Sequence, residues 1–383
     1  MLNKDHHIYT TIGNNLLKEN YTTFDVQNLS TGVVNDFGAA GFNNDLAYGV
    51  NDFYLGVQHK FQVGIFTGKY GISVHNYDWT IAQENINSIN KWVWLPDLSA
   101  DFKFSGFGNV KFNYNLKSTI AAADRYANKF RLVNYNTVFR GNETLENELF
   151  HAARLSYTKF SMFRGLTIFS SITYNSAIEA VRNQTQIQGI NQFNTAVLLQ
   201  NPEERWLANA MVTKKYGKIK LTLNTDISFD DYQQIINNEV FKSKNRSQNY
   251  GVELSTSFKK LPNVELGINR GYNTFTSESN TSKFTNTSPS FSLDYDFFDG
   301  FIFEFNYQKT IYEDNNNQQN NYEIADTSLF YQFKESPWAL KFSGTNVFGA
   351  NFKNRNSFSD FVISDQRIFI LPRIWMFSVS YKL

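Results

Sequence analysis

Over residues 290–308, apolar and polar side chains change places at nearly every step. Phe291, Leu293, Tyr295 and Phe297 alternate with Ser290, Ser292, Asp294 and Asp296. Phe301, Phe303, Phe305 and Tyr307 then alternate with Ile302, Glu304, Asn306 and Gln308. A period of two is the strand period, so each half predicts a β-strand with one greasy face and one polar face. Parity decides the turn between them. For both aromatic rows to share a face, Phe297 must lie opposite Phe301, which leaves a three-residue loop, Phe298-Asp299-Gly300. A two-residue turn would put the rows on opposite faces. A type I turn followed by a left-handed residue fits, and it predicts positive φ at Gly300.

The rest of the chain reads as further copies of this hairpin. Residues 7–16 predict a first strand, and a Gly/Asn-rich segment, 18–51, predicts a long loop. Phe53, Leu55, Val57, His59 and Phe61 then alternate with polar neighbours up to a short turn near Gly64, and a strand over 70–79 follows. Residues 94–104 descend to Ser105-Gly106-Phe107-Gly108, and Val110, Phe112, Tyr114 and Leu116 climb away. A second long loop, 119–147, holds the run AAADRYAN, which predicts a short helix. Strands at 149–160 and 166–174 flank Phe163-Arg164-Gly165, and an Asn/Gln run at 315–321 predicts a solvated loop tip. Trp375, Phe377, Val379, Tyr381 and Leu383 form one face of a last strand.

Connections therefore alternate, one tight and the next long and polar, which is the pattern of short periplasmic turns and long extracellular loops. The expectation is an all-β fold: an antiparallel up-and-down transmembrane β-barrel, with about sixteen strands of roughly ten residues each. A soluble β-sandwich is the competing source of alternation, but it uses about seven to nine strands.

Composition changes the picture only in places. Of 383 residues, 37 are Phe and 21 Tyr, whereas charged residues are 19% and nearly cancel at +1. A nucleic-acid partner would want a strong basic excess, so none is expected. Mean hydropathy is −0.42, as half-polar membrane strands allow. No run of 18 apolar residues predicts a transmembrane helix. The opening MLNKDHHIYTT has no apolar stretch of signal-peptide type, which suggests that a natural N-terminus lies upstream. There is no cysteine, hence no disulfide framework and no thiolate metal site.

At Phe139-Arg140-Gly141-Asn142-Glu143-Thr144-Leu145-Glu146-Asn147-Glu148 the chain resembles a known family. TonB-dependent outer-membrane receptors carry a Gly-Asn-Pro-x-Leu-x-Pro-Glu motif ahead of a long strand. Gly141, Asn142, Leu145 and Glu148 match it, while Glu143 and Asn147 stand where the family has proline. Thr345-Asn346-Val347-Phe348-Gly349 is similar to the family's Asn-Leu-Phe-Asp element, and Leu371-Pro372-Arg373 resembles its Pro-Arg opening of the final strand. Family members usually end in Phe; this chain ends in Leu383.

The resemblance implies the C-terminal part of a 22-strand receptor barrel in the outer membrane of a Gram-negative cell, without plug or TonB box. It gives Gly141, Asn142, Leu145, Glu148, Asn346, Pro372 and Arg373 structural roles. It implies import of a bulky scarce nutrient such as an iron chelate, cobalamin or a glycan. Its partners would be outer-membrane lipid, TonB through a plug region, the unknown nutrient and a surface lipoprotein. A self-contained passive porin or structural barrel is the alternative.

Catalytic and metal chemistry is not expected from the sequence. It has no His-Glu-x-x-His, Gly-x-Ser-x-Gly or P-loop motif. His6 and His7 are neighbours on a strand and face opposite ways. His59, His75 and His151 stand alone, so a Ser/His hydrolase pair is not foreseen and the chain is expected to be no enzyme, with no cofactor and no metal. Asp294 and Asp296 read as part of a polar row. The external loops, including Tyr135 and Phe139, are the candidate ligand surface; aromatics there can stack on a sugar or chelate, or equally pack one loop on another.

Overall fold

A computed structural model describes residues 5–105, 108–200, 203–278, 280–315, 319–358 and 363–382. Its strands, in chain order, are β1 (His6–Thr22), β2 (Val26–Asn28), β3 (Val34–Asp36), β4 (Asp45–Val63), β5 (Phe66–Ala82), β6 (Ile86–Ser105), β7 (Gly108–Thr119), β8 (Phe130–Asn134), β9 (Thr137–Arg140), β10 (Glu148–Ser161), β11 (Leu166–Gln188), β12 (Asn191–Leu199), β13 (Glu203–Tyr216), β14 (Ile219–Ile236), β15 (Glu239–Thr256), β16 (Asn263–Ser277), β17 (Asn280–Phe297), β18 (Phe301–Glu313), β19 (Gln319–Gln332), β20 (Trp338–Thr345), β21 (Phe352–Phe358), β22 (Ile363–Phe369) and β23 (Ile374–Tyr381). Nineteen of them belong to one up-and-down sheet, while β2–β3 and β21–β22 are separate hairpins. Setting aside β8, β9 and β12, which no alternation foresaw, leaves sixteen. The run AAADRYAN makes only a single 3-10 turn, Ala123–Arg125.

Several strands outrun the sequence expectation. β1 has 17 residues, β4 19, β6 20 and β11 23. At about 3.3 Å per residue, a strand of this length exceeds the roughly 30 Å hydrocarbon layer even when tilted. Only the part in lipid needs an apolar face. The ends, such as residues 18–22 and 45–51, have no large apolar side chain on the face shared with Ile12 and Leu55, so they look like loop in the sequence and are strand in the structure.

Two compact units can be distinguished. One comprises Met1–Ser156, Ile172–Trp206 and Asp230–Ser243, the other Tyr157–Ser171, Leu207–Phe229 and Lys244–Leu383. In the first, β4 pairs with β1 and β5, and β5 with β6, all antiparallel. These registers put Leu55, Ile72 and Trp94 on one face, with neighbours Val57 and Trp92, and all five are exposed. The opposite face carries Leu46, Tyr48, Val50, Trp79, Ile81 and Val93, all buried. That second face is the one covered by residues 120–147 and is called inner below.

In the second unit, β16 to β20 pair in sequence and β23 joins β20. Phe297 lies opposite Phe301 and Phe303 opposite Tyr295, so the aromatic rows share one face. Leu329, Phe342, Phe377 and Trp375 continue it and are exposed, as side chains facing lipid are. Glu304, Asn306, Asp326, Ser328, Lys341 and Ser343 take the other face. Gly300 has φ +94°. The turn nevertheless differs from a type I start, because Phe298 also has positive φ, +50°. The Gly106-Phe107 turn, the centre of the Asn/Gln run and Leu383 lie outside the described residues.

Candidate functional site

The inner face of the first unit is built in two layers along the same strands. Toward the long loops it is dry. Trp79, Leu46, Ile81 and Val50 pack against Ala123, Tyr126, Ala127, Phe139 and Leu145 of the folded-in segment. Tyr126 stacks on Tyr48 at 4.8 Å, and burial pushes its phenol above the usual range.

The motif residues hold this segment in place. A Cβ on Gly141 would sit 2.4 Å from the Arg125 carbonyl oxygen, so only glycine fits. The Gly141 N–H donates to Ala127 O and the Asn142 N–H to Arg125 O, each at 2.7 Å. Asn142 Oδ1 accepts from the Thr144 N–H at 3.0 Å and hydroxyl at 2.7 Å. Leu145 is buried, as is Asn147, whose Nδ2 donates to Ser118 Oγ at 2.6 Å. Glu148 Oε1 accepts from the Val181 N–H at 2.8 Å.

Phe139 takes the packing role rather than that of a ligand contact. It is 4% exposed, with the guanidinium groups of Arg125 and Arg131 each 5.0 Å from its ring centre. It packs one part of the loop on another. Tyr135, in contrast, is 87% exposed.

Charged side chains rim the docked segment. Lys91 Nζ lies 2.6 Å from Glu146 and 2.8 Å from Glu179. Arg182 pairs with Glu203 and approaches Glu148 at 3.6 Å. Arg205 pairs with Asp230 at 2.8 Å.

Toward the short turns the inner face becomes polar, and here the strands assemble a hydrogen-bonded chain. Asp52, Tyr54 and Gly56 on β4 face Tyr77, His75 and Ser73 on β5 in register. His75 Nδ1 lies 2.8 Å from Asp52 Oδ1, and His75 Nε2 lies 3.1 Å from Ser73 Oγ. Asp52 Oδ2 accepts from Asn15 Nδ2 at 3.1 Å. A carboxylate only accepts, so Nδ1 carries a proton toward Asp52, and in the neutral imidazole Nε2 accepts from the Ser73 hydroxyl. The ring is held from both sides, with Tyr54 stacked at 5.0 Å and Tyr77 at 5.6 Å. Gly13 makes room for Tyr54, since a Cβ there would sit 2.4 Å from the phenol ring.

The other histidines also find partners across strands. His6 Nδ1 is 3.2 Å from His59 Nε2, and His59 Nδ1 is 3.1 Å from Tyr70 Oη. His59 pairs with Ile8, so His6 reaches it along the diagonal. His151 meets Tyr114 at 2.8 Å. Sequence reading missed all of these, because partners across a ladder are far apart in the chain. Ser73, two residues from His75 and on the same face by the alternation rule, was within reach of the sequence and was missed as well. Among the described residues, no group of three or more His, Cys, Asp or Glu is placed to hold a metal ion.

In the second unit, the polar face of β18, β19, β20 and β23 lines a hollow of about 390 Å³ with Glu304, Asp326, Lys341, Ser343 and Met376 among its walls. Ser328 donates to Glu304 there at 2.8 Å. Above it, Asn346 is buried with φ +51°. Its Nδ2 donates to Ala350 O at 2.7 Å and Leu371 O at 3.0 Å, and its Oδ1 accepts from the Ala350 N–H at 2.9 Å. Pro372 and Arg373 follow as the entry to β23, with Arg373 reaching back toward Gly349.

The strand pattern, the exposed apolar face and the polar face opposite define an outer-membrane β-barrel protein. No family model matches the chain, and no curated protein matches it in sequence. Solved structures do. OmpT of Vibrio cholerae in its trimer form, an outer membrane protein, matches over 98% of both chains at 8% identity and TM-score 0.32. The ferripyoverdine receptor of the outer membrane of Pseudomonas aeruginosa, bound to ferripyoverdine, matches over 98% of this chain and 71% of the receptor, at 10% identity and TM-score 0.28. A complex of FpvAI with pyocin S2 matches over 98% and 72%, at 9% identity and TM-score 0.29. Likeness at this level concerns strand architecture alone.

The expectation of a non-enzyme is corrected. It was read from receptor likeness and from histidines without a serine neighbour. In the structure His75 has both a serine and an aspartate partner.

Proposed function

We propose that this protein is the barrel of a TonB-dependent receptor that imports a bulky, scarce nutrient across the outer membrane, in the class of iron chelates, cobalamin or glycans. The observation that carries the proposal is the docking of residues 120–147 on the inner face of β4, β5 and β6. A passive pore works best with a wet, open wall. Here the wall is apolar and covered, and the cover is fastened by Gly141, Asn142, Leu145 and Glu148. An inward-folded segment rimmed by Lys91, Arg182 and their carboxylates offers polar contacts that a ligand can compete for. Exposed Tyr135, in the turn between β8 and β9, supplies a stacking surface.

The remaining partners follow from this reading: lipid on the apolar face, TonB acting through a plug region, and a surface lipoprotein over the loops. The test is energy-coupled uptake. The gene is deleted and restored in its host, with and without TonB, and uptake of labelled iron chelates, cobalamin and oligosaccharides is measured. Restored uptake of one class that vanishes without TonB supports import. Solute flux into proteoliposomes that is graded only by size, and indifferent to TonB in cells, favours a passive porin.

A further inference from the structure

The chain Asn15–Asp52–His75–Ser73 plays no part in nutrient import as argued above, and it adjoins, at Tyr77, the cluster beneath the docked segment on the same inner face. Its order of contacts is that of an activated hydroxyl: carboxylate to Nδ1, Nε2 to serine Oγ. The four residues come from three strands in fixed register, and the imidazole is clamped between Tyr54 and Tyr77. The wall beside Ser73 is shaped as well. Its partner on β4 is Gly56, which places no side chain over it, and its partner on β6 is Leu95. A glycine on one side and an aliphatic side chain on the other are neighbours that suit a short apolar group.

We propose that Ser73 is a nucleophile that accepts short aliphatic acyl groups from esters, with His75 as its base and Asp52 as the positioning residue. In the first half-reaction Ser73 Oγ bonds to the ester carbonyl carbon, and its proton passes to His75 Nε2. The carbon–oxygen bond to the alcohol then breaks, and the imidazolium returns the proton to the leaving alkoxide. In the second half-reaction water attacks the acyl-serine. Its proton goes to His75, the carboxylic acid departs, and Ser73 Oγ recovers the proton. The sum is ester plus water to acid plus alcohol.

The experiment uses the full chain folded in detergent micelles and in outer-membrane vesicles, with an alkyl fluorophosphonate as probe. A phosphorus–oxygen bond forms at Ser73, the phosphorus–fluorine bond breaks, and the proton is taken up by His75. Mass spectrometry is expected to find one phosphonyl group, on the Ser73 peptide, and none in Ser73→Ala. Hydrolysis of p-nitrophenyl butyrate is expected to be lost in the same variant. His75→Gln should lower the labelling rate by about 100-fold or more, the usual share of a general base. Asp52→Asn should slow labelling while the protein keeps its heat-modifiable mobility on gels, which separates positioning from a structural role. Folded wild-type protein without label at Ser73 overturns the proposal. So does His75→Gln labelling at the wild-type rate.

Discussion

Two faces of this molecule are made by the same rule and end differently. On β17 to β20 one row is mostly polar, from Asp294 through Glu304, Asp326 and Lys341, with Ile302, Ile324 and Phe330 among its apolar members. On β4 and β5 the equivalent row is polar only toward the short turns, at Asp52, His75 and Ser73. Nearer the long loops it becomes Leu46, Tyr48, Val50, Trp79 and Ile81, all buried. The difference lies in what covers each row. Water can satisfy Glu304 and Lys341, so they need no partner from another segment. Apolar side chains on an inner face are stable only under a lid, and residues 120–147 supply it with Tyr126, Phe139 and Leu145. An inner face that turns greasy therefore marks where a loop folds in.

The sharpest way to break the comparison is to remove its centre. Trp79 is fully buried beneath the docked segment. Trp79→Ala should cost about 3–5 kcal/mol, as large aromatic deletions in cores do. Urea unfolding in lipid vesicles would measure it, and protease cutting within 120–147 should appear before global unfolding. Next comes the lipid face of the second unit, where Phe303→Arg should cost about 2–4 kcal/mol near mid-membrane by the same measurement. A cost close to zero would mean that this aromatic row does not meet hydrocarbon.

Much of this fold was legible because strand period, turn parity and the count of alternating segments are local properties. The opening hairpin is the plainest case: Phe297 opposite Phe301 and positive φ at Gly300 both follow from residue spacing. Strand ends were not legible, because outside lipid nothing enforces alternation, and residues 18–22 carry no periodic signal. The Phe298 backbone was missed too, since nothing in its side chain announces a left-handed conformation. At the site, Gly141 and Leu145 could be singled out by motif. The Asp52–His75 contact could not, because it depends on register between β4 and β5. Phe139 had two readings, because an aromatic in a polar loop looks like a contact surface until its two arginines are placed around it.

Smaller changes should separate tight from loose parts of each region. Lys91 touches two carboxylates, and its side chain is 20% exposed. Lys91→Met leaves Glu146 and Glu179 facing each other without a cation. About 2 kcal/mol is expected, less than the 3–5 kcal/mol of a fully buried pair because water still screens the site. Gly300→Val should cost a similar amount, about 2 kcal/mol. A β-branched residue is strained at φ +94°, and its Cβ would stand 2.4 Å from Gln332 O. The loss is expected in refolding yield as well as in unfolding midpoint.

The smallest effect is expected at Lys220, and it tests whether the second unit's charges are as wet as the comparison requires. Lys220 Nζ is 3.2 Å from Glu253, and the two side chains are 44% and 35% exposed. By distance alone this pair resembles Lys91 and Glu179. Its energetics should differ, because both charges keep most of their hydration when the partner is removed. Lys220→Met is therefore expected to cost no more than about 1 kcal/mol, and that cost should fade as salt is raised. The Lys91→Met cost should persist in salt, since Lys91 and Glu179 are more enclosed than either member of the Lys220 pair. Unfolding midpoints of both variants at low and high ionic strength give the comparison directly. Equal costs with equal salt dependence would show that the two rows share one environment, and the account of a dry, covered wall in the first unit would then fail.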